Sequence, residues 1–443
     1  MRNFINTLIN IWSIDDLRGR IIHTLSLLLI YRVGSFVILP GIDTEVLGQA
    51  TANQSGLASL INAFAGGAFS RASILALGIM PYISASIIMQ LAGIAIPTIQ
   101  KLQREGESGR RKVNQYTRFL TVLICLGQAP GYLRAYIPQD AIIDNTTFWW
   151  VSSIILLVTG TLFVMWLGER ITDNGLGNGI SLLIMIGIIA NFPTAFVFEF
   201  DARAGTSGTG GMVMLLIEIV FLLLVTLICI LLVQGTRRVP VQYAKRIVGN
   251  KQYGGVRQYI PLKVNAAGVM PIIFAQALMF IPVTLAGFAD SDQMTGIAAA
   301  FADFTGFWYN FTFAIMVILF TYFYTAITFP PQQMAEEMKK NGGFVPGIKP
   351  GRKTAEFLDN IMSRIMLPGS FFLAFVAILP AFAVMAGISY QFALFYGGTS
   401  LLIMVGVTLD TLQQIESHLL MRHYDGLMKT GKIKGRSSFS MAG

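Results

Sequence analysis

The chain has 443 residues, of which only 12% are charged and 54% hydrophobic, with a mean hydropathy of +0.63 and a formal net charge of +9. A soluble domain carries roughly 25% charged residues, so this balance excludes an ordinary soluble enzyme or binding domain. The two cysteines, Cys125 and Cys229, both sit within apolar runs, which reads as buried thiols and argues against a disulfide framework or a thiolate metal site.

Taken in chain order, residues 1–20 come first. Phe4, Ile5, Leu8, Ile9 and Trp12 share one helical face, the pattern of an amphipathic segment lying in a membrane interface. Apolar stretches long enough to cross a hydrocarbon core then recur at 21–39, 73–97, 119–137, 148–167, 180–198, 212–233, 264–288, 307–329, 361–385 and 392–415. The runs are continuous rather than alternating, so a helical bundle of about ten spans is expected and a β-barrel is not. The first stretch does not read as a cleaved signal peptide. Arg32 interrupts it, and Pro40-Gly41 is reached without a small-x-small cleavage site.

Charge sets the orientation. In a ten-span layout all 32 basic residues but Arg32, Arg71, Arg134 and Arg203 fall on one side. The other side holds Asp43, Glu45, Asp140, Asp144, Asp201, Asp290 and Asp292. The positive-inside bias therefore places both termini and the large basic loops in the cytoplasm.

Two short stretches repeat. Gly78-Ile79-Met80-Pro81-Tyr82-Ile83 belongs to the second span and Gly268-Val269-Met270-Pro271-Ile272-Ile273 to the seventh. These are equivalent places in two five-span halves of opposite topology, an arrangement that puts the working site at the midplane between halves. Proline removes a helical hydrogen bond and glycine adds backbone freedom, so Pro81, Gly268 and Pro271 are candidate hinges. Two ordinary proline-kinked helices would give the same pattern.

Longer motifs follow the same order. They are Gly66-Gly67-Ala68-Phe69-Ser70-Arg71-Ala72-Ser73, Leu77-Gly78-Ile79-Met80-Pro81-Tyr82-Ile83-Ser84-Ala85-Ser86, Glu105-Gly106-Glu107-Ser108-Gly109-Arg110-Arg111-Lys112, Gly175-Leu176-Gly177-Asn178-Gly179-Ile180-Ser181, Pro261-Leu262-Lys263-Val264-Asn265, Phe344-Val345-Pro346-Gly347-Ile348-Lys349-Pro350-Gly351 and Tyr396-Gly397-Gly398-Thr399-Ser400-Leu401. Each resembles a signature of the SecY/Sec61-alpha family, in order and at similar spacing, from about residue 17 to 420. The resemblance implies an all-α polytopic membrane protein of two inverted five-helix halves around a central pore, 21–199 and 212–416, joined by a periplasmic loop at 200–211 and followed by a cytoplasmic tail at 417–443. It implies the central protein-conducting channel of a translocase in a bacterial inner membrane. Such a channel moves unfolded secretory proteins across and releases membrane proteins laterally, without cofactor or catalytic residue. The implied partners are SecE, SecG, the ATPase SecA, ribosomes, signal sequences and nascent chains. SecDF, YidC, membrane lipids and a second copy of the chain are further candidates. A thylakoid relative would need a Ser/Arg-rich, acid-poor transit peptide, against which Asp15 and Asp16 speak.

Under that resemblance Ile79, Ile83, Ile180, Ile184, Ile273 and Ile403 match the family's pore ring. An apolar constriction dewets and blocks ions, and inert branched side chains do not select by sequence. Outside the family register, an isoleucine in a membrane helix is ordinarily lipid-facing or core. A plug is expected at about 57–70, where Leu60, Ala63, Gly66 and Gly67 keep the segment small; a static re-entrant loop is the alternative. Ser84, Gln90, Gln128 and Gln276 are polar at membrane depth and fall near the lateral-gate seam, where cross-helix hydrogen bonds by Ser84 and Gln276 would hold it closed. Generic packing between helices would place them equally well.

On the cytoplasmic side, two loops stand out at 234–263 and 330–360. The first alternates apolar and polar residues around Gly249-Asn250, the pattern of a protruding hairpin. Lys245, Arg246, Lys251, Arg257, Lys349 and Arg352 dot these loops as candidate contacts for SecA or ribosomal RNA, alongside their topogenic role. Two positions depart from the family pattern. Lys349 stands where arginine is common, and Asn250 occupies a usually basic tip, which weakens any bidentate contact. Other classes fit less well. A secondary transporter needs buried ionisable groups, and the candidates are sparse: Arg32 in span one, Asp410 in span ten and Glu218 near a span end. An intramembrane enzyme would have to use His23, His418 or His423, all near span ends and without nucleophile or metal spacing. The Gly-x-x-x-x-Gly-Lys spacing occurs at 426–432, but Ile433 follows where a phosphate-binding loop needs Ser or Thr, so energy must come from a partner.

Overall fold

The computed structural model describes residues 12, 14–51, 62, 65–204, 211–243, 246–248, 251–253, 257–265, 267–286 and 305–429. The first half comprises α1 (Asp15–Gly34), α2 (Thr44–Thr51), α3 (Met80–Ala95), α4 (Pro97–Arg104), α5 (Glu107–Tyr136), α6 (Thr147–Asn174) and α7 (Gly179–Ala204). The second half begins with α8 (Gly211–Gln234) and continues through α9 (Met270–Ala286), α10 (Phe307–Thr328), α11 (Pro331–Lys340), α12 (Arg352–Met385), α13 (Tyr390–Ala393) and α14 (Gly398–Lys429). Each of the ten expected spans coincides with one helix. Among the described residues α6, α7, α8, α12 and the α10–α11 rod are long and apolar enough to cross a membrane by length and composition alone. The others carry more charge or are shorter. α1 holds Asp15, Asp16, Arg18, Arg20 and Arg32, and α3 has 16 residues, about 24 Å at 1.5 Å per residue.

The helices are inside-out relative to a soluble protein. Leu216, Val220, Leu223, Leu227 and Leu231 stand exposed along α8, while Leu215, Val225 and Cys229 are buried. With hydrocarbon as solvent, the bundle interior is set by close packing rather than by apolar burial alone. One cluster reaches across both halves. It joins Leu27, Leu28 and Tyr31 of α1, Ile83 and Ile87 of α3, and Ile184 and Ile188 of α7 with Phe274, Phe392, Tyr396 and Ile403. The halves are also stitched polar to polar, since Gly177 N–H donates to Gln414 Oε1 at 2.7 Å, while Leu176 N–H donates to Thr24 Oγ1 at 3.1 Å within the first half.

Spans two and seven depart from expectation in the same way. Both helices begin several residues inside their apolar stretch, at Met80 and Met270, after hydrogen-bonded turns. Pro81 and Pro271 therefore occupy the first turn, where a missing N–H costs nothing, instead of kinking a helix interior. Gly78 at φ +53° and Gly268 at φ +65° take the left-handed conformation ahead of each helix. The turn bonds correspond as well. Gly78 N–H reaches Leu75 O at 2.9 Å and Gly268 N–H reaches Asn265 O at 3.4 Å, followed by Ile83 N–H to Ile79 O and Ile273 N–H to Val269 O. The repeat is thus one of backbone conformation, and the two motifs start helices.

The hairpin expected at 234–263 forms. β1 (Thr236–Tyr243) pairs antiparallel with β4 (Arg257–Lys263), Val239 opposite Ile260, while β2 (Arg246–Val248) pairs with β3 (Lys251–Tyr253), Val248 opposite Lys251. Gly249 and Asn250 lie outside the described residues, as does the Phe4–Ile9 face. The second loop joins the same sheet, because β5 (Gly343–Phe344) pairs with β1 through Gln242 opposite Phe344. Val239, Val241, Leu262, Met338, Val345, Leu358 and Met362 make a small core that ties this sheet to α11 and α12.

Candidate functional site

Four helices bring the six isoleucines inward within their first two turns. Ile79 caps α3 and Ile83 follows one turn on, Ile180 and Ile184 open α7, Ile273 opens α9, and Ile403 lies in the second turn of α14. Spacing of four residues puts Ile79 with Ile83, and Ile180 with Ile184, on one face. Ile79, Ile83, Ile184, Ile273 and Ile403 line a single cavity with Met80 and Gln276, a space on the scale of one water molecule. Ile180 packs against the same apolar cluster, with its Cγ1 close to Gly168 of α6, and is not part of that lining. Met80 and Gln276 are lining residues that the isoleucine pattern did not single out; their positions within the repeated motif and one turn beyond it were the available signal.

The four polar residues near the seam form no hydrogen bond between helices among the described residues. Ser84 Oγ donates to Met80 O of its own helix at 3.1 Å, and Gln90 Nε2 donates to Ser86 Oγ, also on α3, at 3.4 Å. Gln128 is half-buried on α5. Gln276 is buried against the cavity with Oε1 unpartnered. The expectation that Ser84 and Gln276 bond across the seam is thus replaced. A serine on a helix satisfies its hydroxyl on the preceding turn's carbonyl, which leaves the glutamine unanswered. α3 and α9 do meet.

Of the expected plug, Leu60 and Ala63 lie outside the described residues, whereas Gly66 and Gly67 begin a run of tight turns. Gly66 at φ +64° and Gly67 at φ +85° use their conformational freedom here, and a Cβ on Gly66 would meet Gly187 Cα of α7 at 3.0 Å. The segment is bound on several sides. Arg32 Nη1 donates to Gly66 O, Tyr132 Oη donates to Phe69 O at 2.7 Å, and Ile38 pairs with Ser73 in an antiparallel bridge. Arg71 and Arg32 both flank the Phe36 ring, with guanidinium carbons 4.3 and 5.0 Å from its centroid.

The basic candidates divide in two. Arg246, Lys251 and Arg257 are placed by backbone in the hairpin strands, and Lys245 lies outside the described residues. Lys349 is exposed on the tip before α12, and Arg352 is exposed as the first residue of that helix. Arg352 there pairs with Glu356 at 3.2 Å, a contact that water and salt weaken.

A bundle of this kind, with two related halves feeding isoleucines into one cavity, defines an α-helical multi-spanning membrane protein organised around a central apolar site. The comparisons agree with one another. A family model described as SecY matches residues 73–412. Protein translocase subunit SecY of Streptomyces galbus is 42% identical over 431 residues, 94% of this chain and 97% of that protein. The Thermotoga maritima protein of the same name is 40% identical over 441 residues, covering 96% and 98%. The chain belongs to the SecY family. Solved structures share its fold: one described as a protein conducting channel gives a TM-score of 0.61 at 18% identity, covering 94% of this chain and 95% of that one. The yeast Ssh1 complex bound to the 80S ribosome gives 0.62 at 14% identity, covering 89% of each chain.

Proposed function

We propose that the chain is the protein-conducting subunit of a Sec translocase in a bacterial inner membrane, with both termini and the basic loops in the cytoplasm. The observation that carries this reading is the single cavity lined by Ile79, Ile83, Ile184, Ile273 and Ile403 from both halves. A polypeptide crossing lipid unaided would strand its backbone polar groups at several kcal/mol each. A closable apolar constriction offers a wet route that dewets when idle. In this reading Ile180 completes the ring, and the segment containing Gly66 and Gly67 is the plug. The seam between α3 and α9, with Ser84, Gln90, Gln128 and Gln276 near it, parts to admit signal sequences and to release membrane segments. The family is a protein-conducting channel rather than an enzyme. Energy for transport comes from SecA, the ribosome or the proton motive force. SecE and SecG complete the complex. The small core beneath β1, β4 and β5 supports docking of SecA or ribosomal RNA by holding Lys349 and the hairpin as one rigid projection.

Photo-crosslinkers on a stalled secretory chain are expected to capture Ile79, Ile83, Ile184, Ile273 and Ile403 while the chain spans the membrane. Replacing Ile83 and Ile403 together by glycine is expected to raise ion leak through reconstituted channels at least tenfold. Absence of adducts at all five positions, with unchanged leak, would refute the conduit reading.

A further inference from the structure

Away from the isoleucine cavity, an acid–base–acid group lies buried where the halves meet at the end of α7. Glu199 and Arg203 sit one turn apart on α7, and Glu218 faces them from α8; their exposures are 1%, 7% and 2%. Arg203 Nε donates to Glu199 Oε1 at 3.0 Å, and its Nη2 donates to Glu218 Oε1 at 2.7 Å and to Gly387 O at 2.8 Å. Ser389 N–H donates to Glu199 Oε2 at 2.9 Å. Two first-half side chains thus bind α8 and the α12–α13 connection of the second half.

The charges do not balance. Among the described residues, two carboxylates share one guanidinium with almost no access to water. Glu218 Oε2, Ser389 Oγ and Tyr396 Oη are all buried without a hydrogen-bond partner. Tyr396, fully buried, is held here by its ring stacked on Phe221, 5.8 Å away and one turn along α8 from Glu218. The groups that face Glu218 are therefore Glu199 and Arg203 from α7 and Tyr396 from the segment after α13. An uncompensated buried charge and an orphaned carboxylate oxygen are both costly. One proton removes both costs. It neutralises the excess charge and turns Glu218 Oε2 from an unanswered acceptor into a donor, for which one buried water would be a sufficient partner.

We propose that this group binds one proton, held on Glu218 Oε2, and acts as a proton-dependent latch between the halves on the face opposite the basic loops. The proton comes from solvent hydronium, one O–H bond of which breaks to release water as one O–H bond forms on the carboxylate; no bond of the protein breaks. Below its titration the latch is neutral and closed; as pH rises and the proton leaves, two anions face one cation and the contact across the halves weakens. This inference does not depend on the conduit reading.

The test uses the full chain reconstituted with its small subunits in lipid, read by infrared difference spectroscopy during a pH titration. The expected result is the carbonyl stretch of one protonated carboxyl at neutral pH, lost as pH rises. The band is expected to vanish in Glu218→Gln, and also in Glu199→Gln, which removes the excess charge and lets Glu218 ionise beside Arg203. Loss in Glu218→Gln alone keeps the proton on Glu218; loss in Glu199→Gln alone moves it to Glu199 and overturns the assignment. A band unchanged in both variants, or absent from the unsubstituted chain, overturns the proton site. Spin labels at Phe200 and Met385, exposed on α7 and α12, with Cys125 and Cys229 replaced by alanine, read the latch. Their distance distribution is expected to broaden between about pH 6 and pH 9, and to stay narrow in Glu218→Gln. Equal widths at both pH values overturn the latch.

Discussion

Gln276 is the residue whose environment is least satisfied near the cavity. Its Oε1 is buried and unpartnered, and the side chain lines two adjoining cavities, one with the isoleucines and one with Tyr309, Thr399 and Ser400. A buried orphan acceptor costs about 1–3 kcal/mol. Gln276→Leu is therefore expected to stabilise the closed channel by about 1 kcal/mol, measured by thermal unfolding in detergent, and to slow export of substrates with weak signals. Unchanged stability would mean that water already answers the amide. The residue scale is also where sequence and structure part most clearly. Isoleucine is common in any membrane helix, so only family register separated these six from the many that face lipid. Nothing in a sequence tells whether Ser84 will turn to a neighbouring helix or to its own Met80 carbonyl, because both outcomes satisfy the hydroxyl.

Among the elements, the spans were legible because each is a long apolar run, and the hairpin because its alternation has a period of two. What escaped was where helices begin. Residues 73–79 are as apolar as a helix, yet they form turns because Gly78 takes a left-handed conformation and Pro81 suits a first turn. The joining of β5 to β1 was equally hidden, since two residues carry no periodicity. The turns at 65–79 depend on close approach by α6. A Cβ at Gly160 would lie 2.1 Å from Ile74 O, which is backbone and cannot swing away. Gly160→Val is expected to cost at least about 2 kcal/mol in thermal unfolding. Gly127→Ala, with open space around its position, serves as the neutral control.

Across the whole molecule, the two halves are joined by polar contacts at both ends of α7. Gly177 meets Gln414 at one end, and Glu199 with Arg203 meets Gly387, Ser389 and Glu218 at the other. The contact of α3 with α9 contains no such bond among the described residues. In the proposed reading, a molecule so fastened opens on the unfastened side. Inverted halves were legible from a six-residue repeat and the charge bias, but the fastening was not, because its partners are far apart in sequence.

The helix starts at the cavity have an electrostatic outcome. α3, α7, α9 and α14 all aim their amino-terminal ends toward the isoleucine cavity, and each such end carries about half a positive charge from its aligned peptide dipoles. In the proposed reading, where this cavity is the constriction, they set up a positive potential there, a second barrier to protons and sodium beyond dewetting. When a peptide or a mutation props the passage ajar, the leak is expected to favour chloride over potassium, read as the sign of the reversal potential under a salt gradient across a planar bilayer.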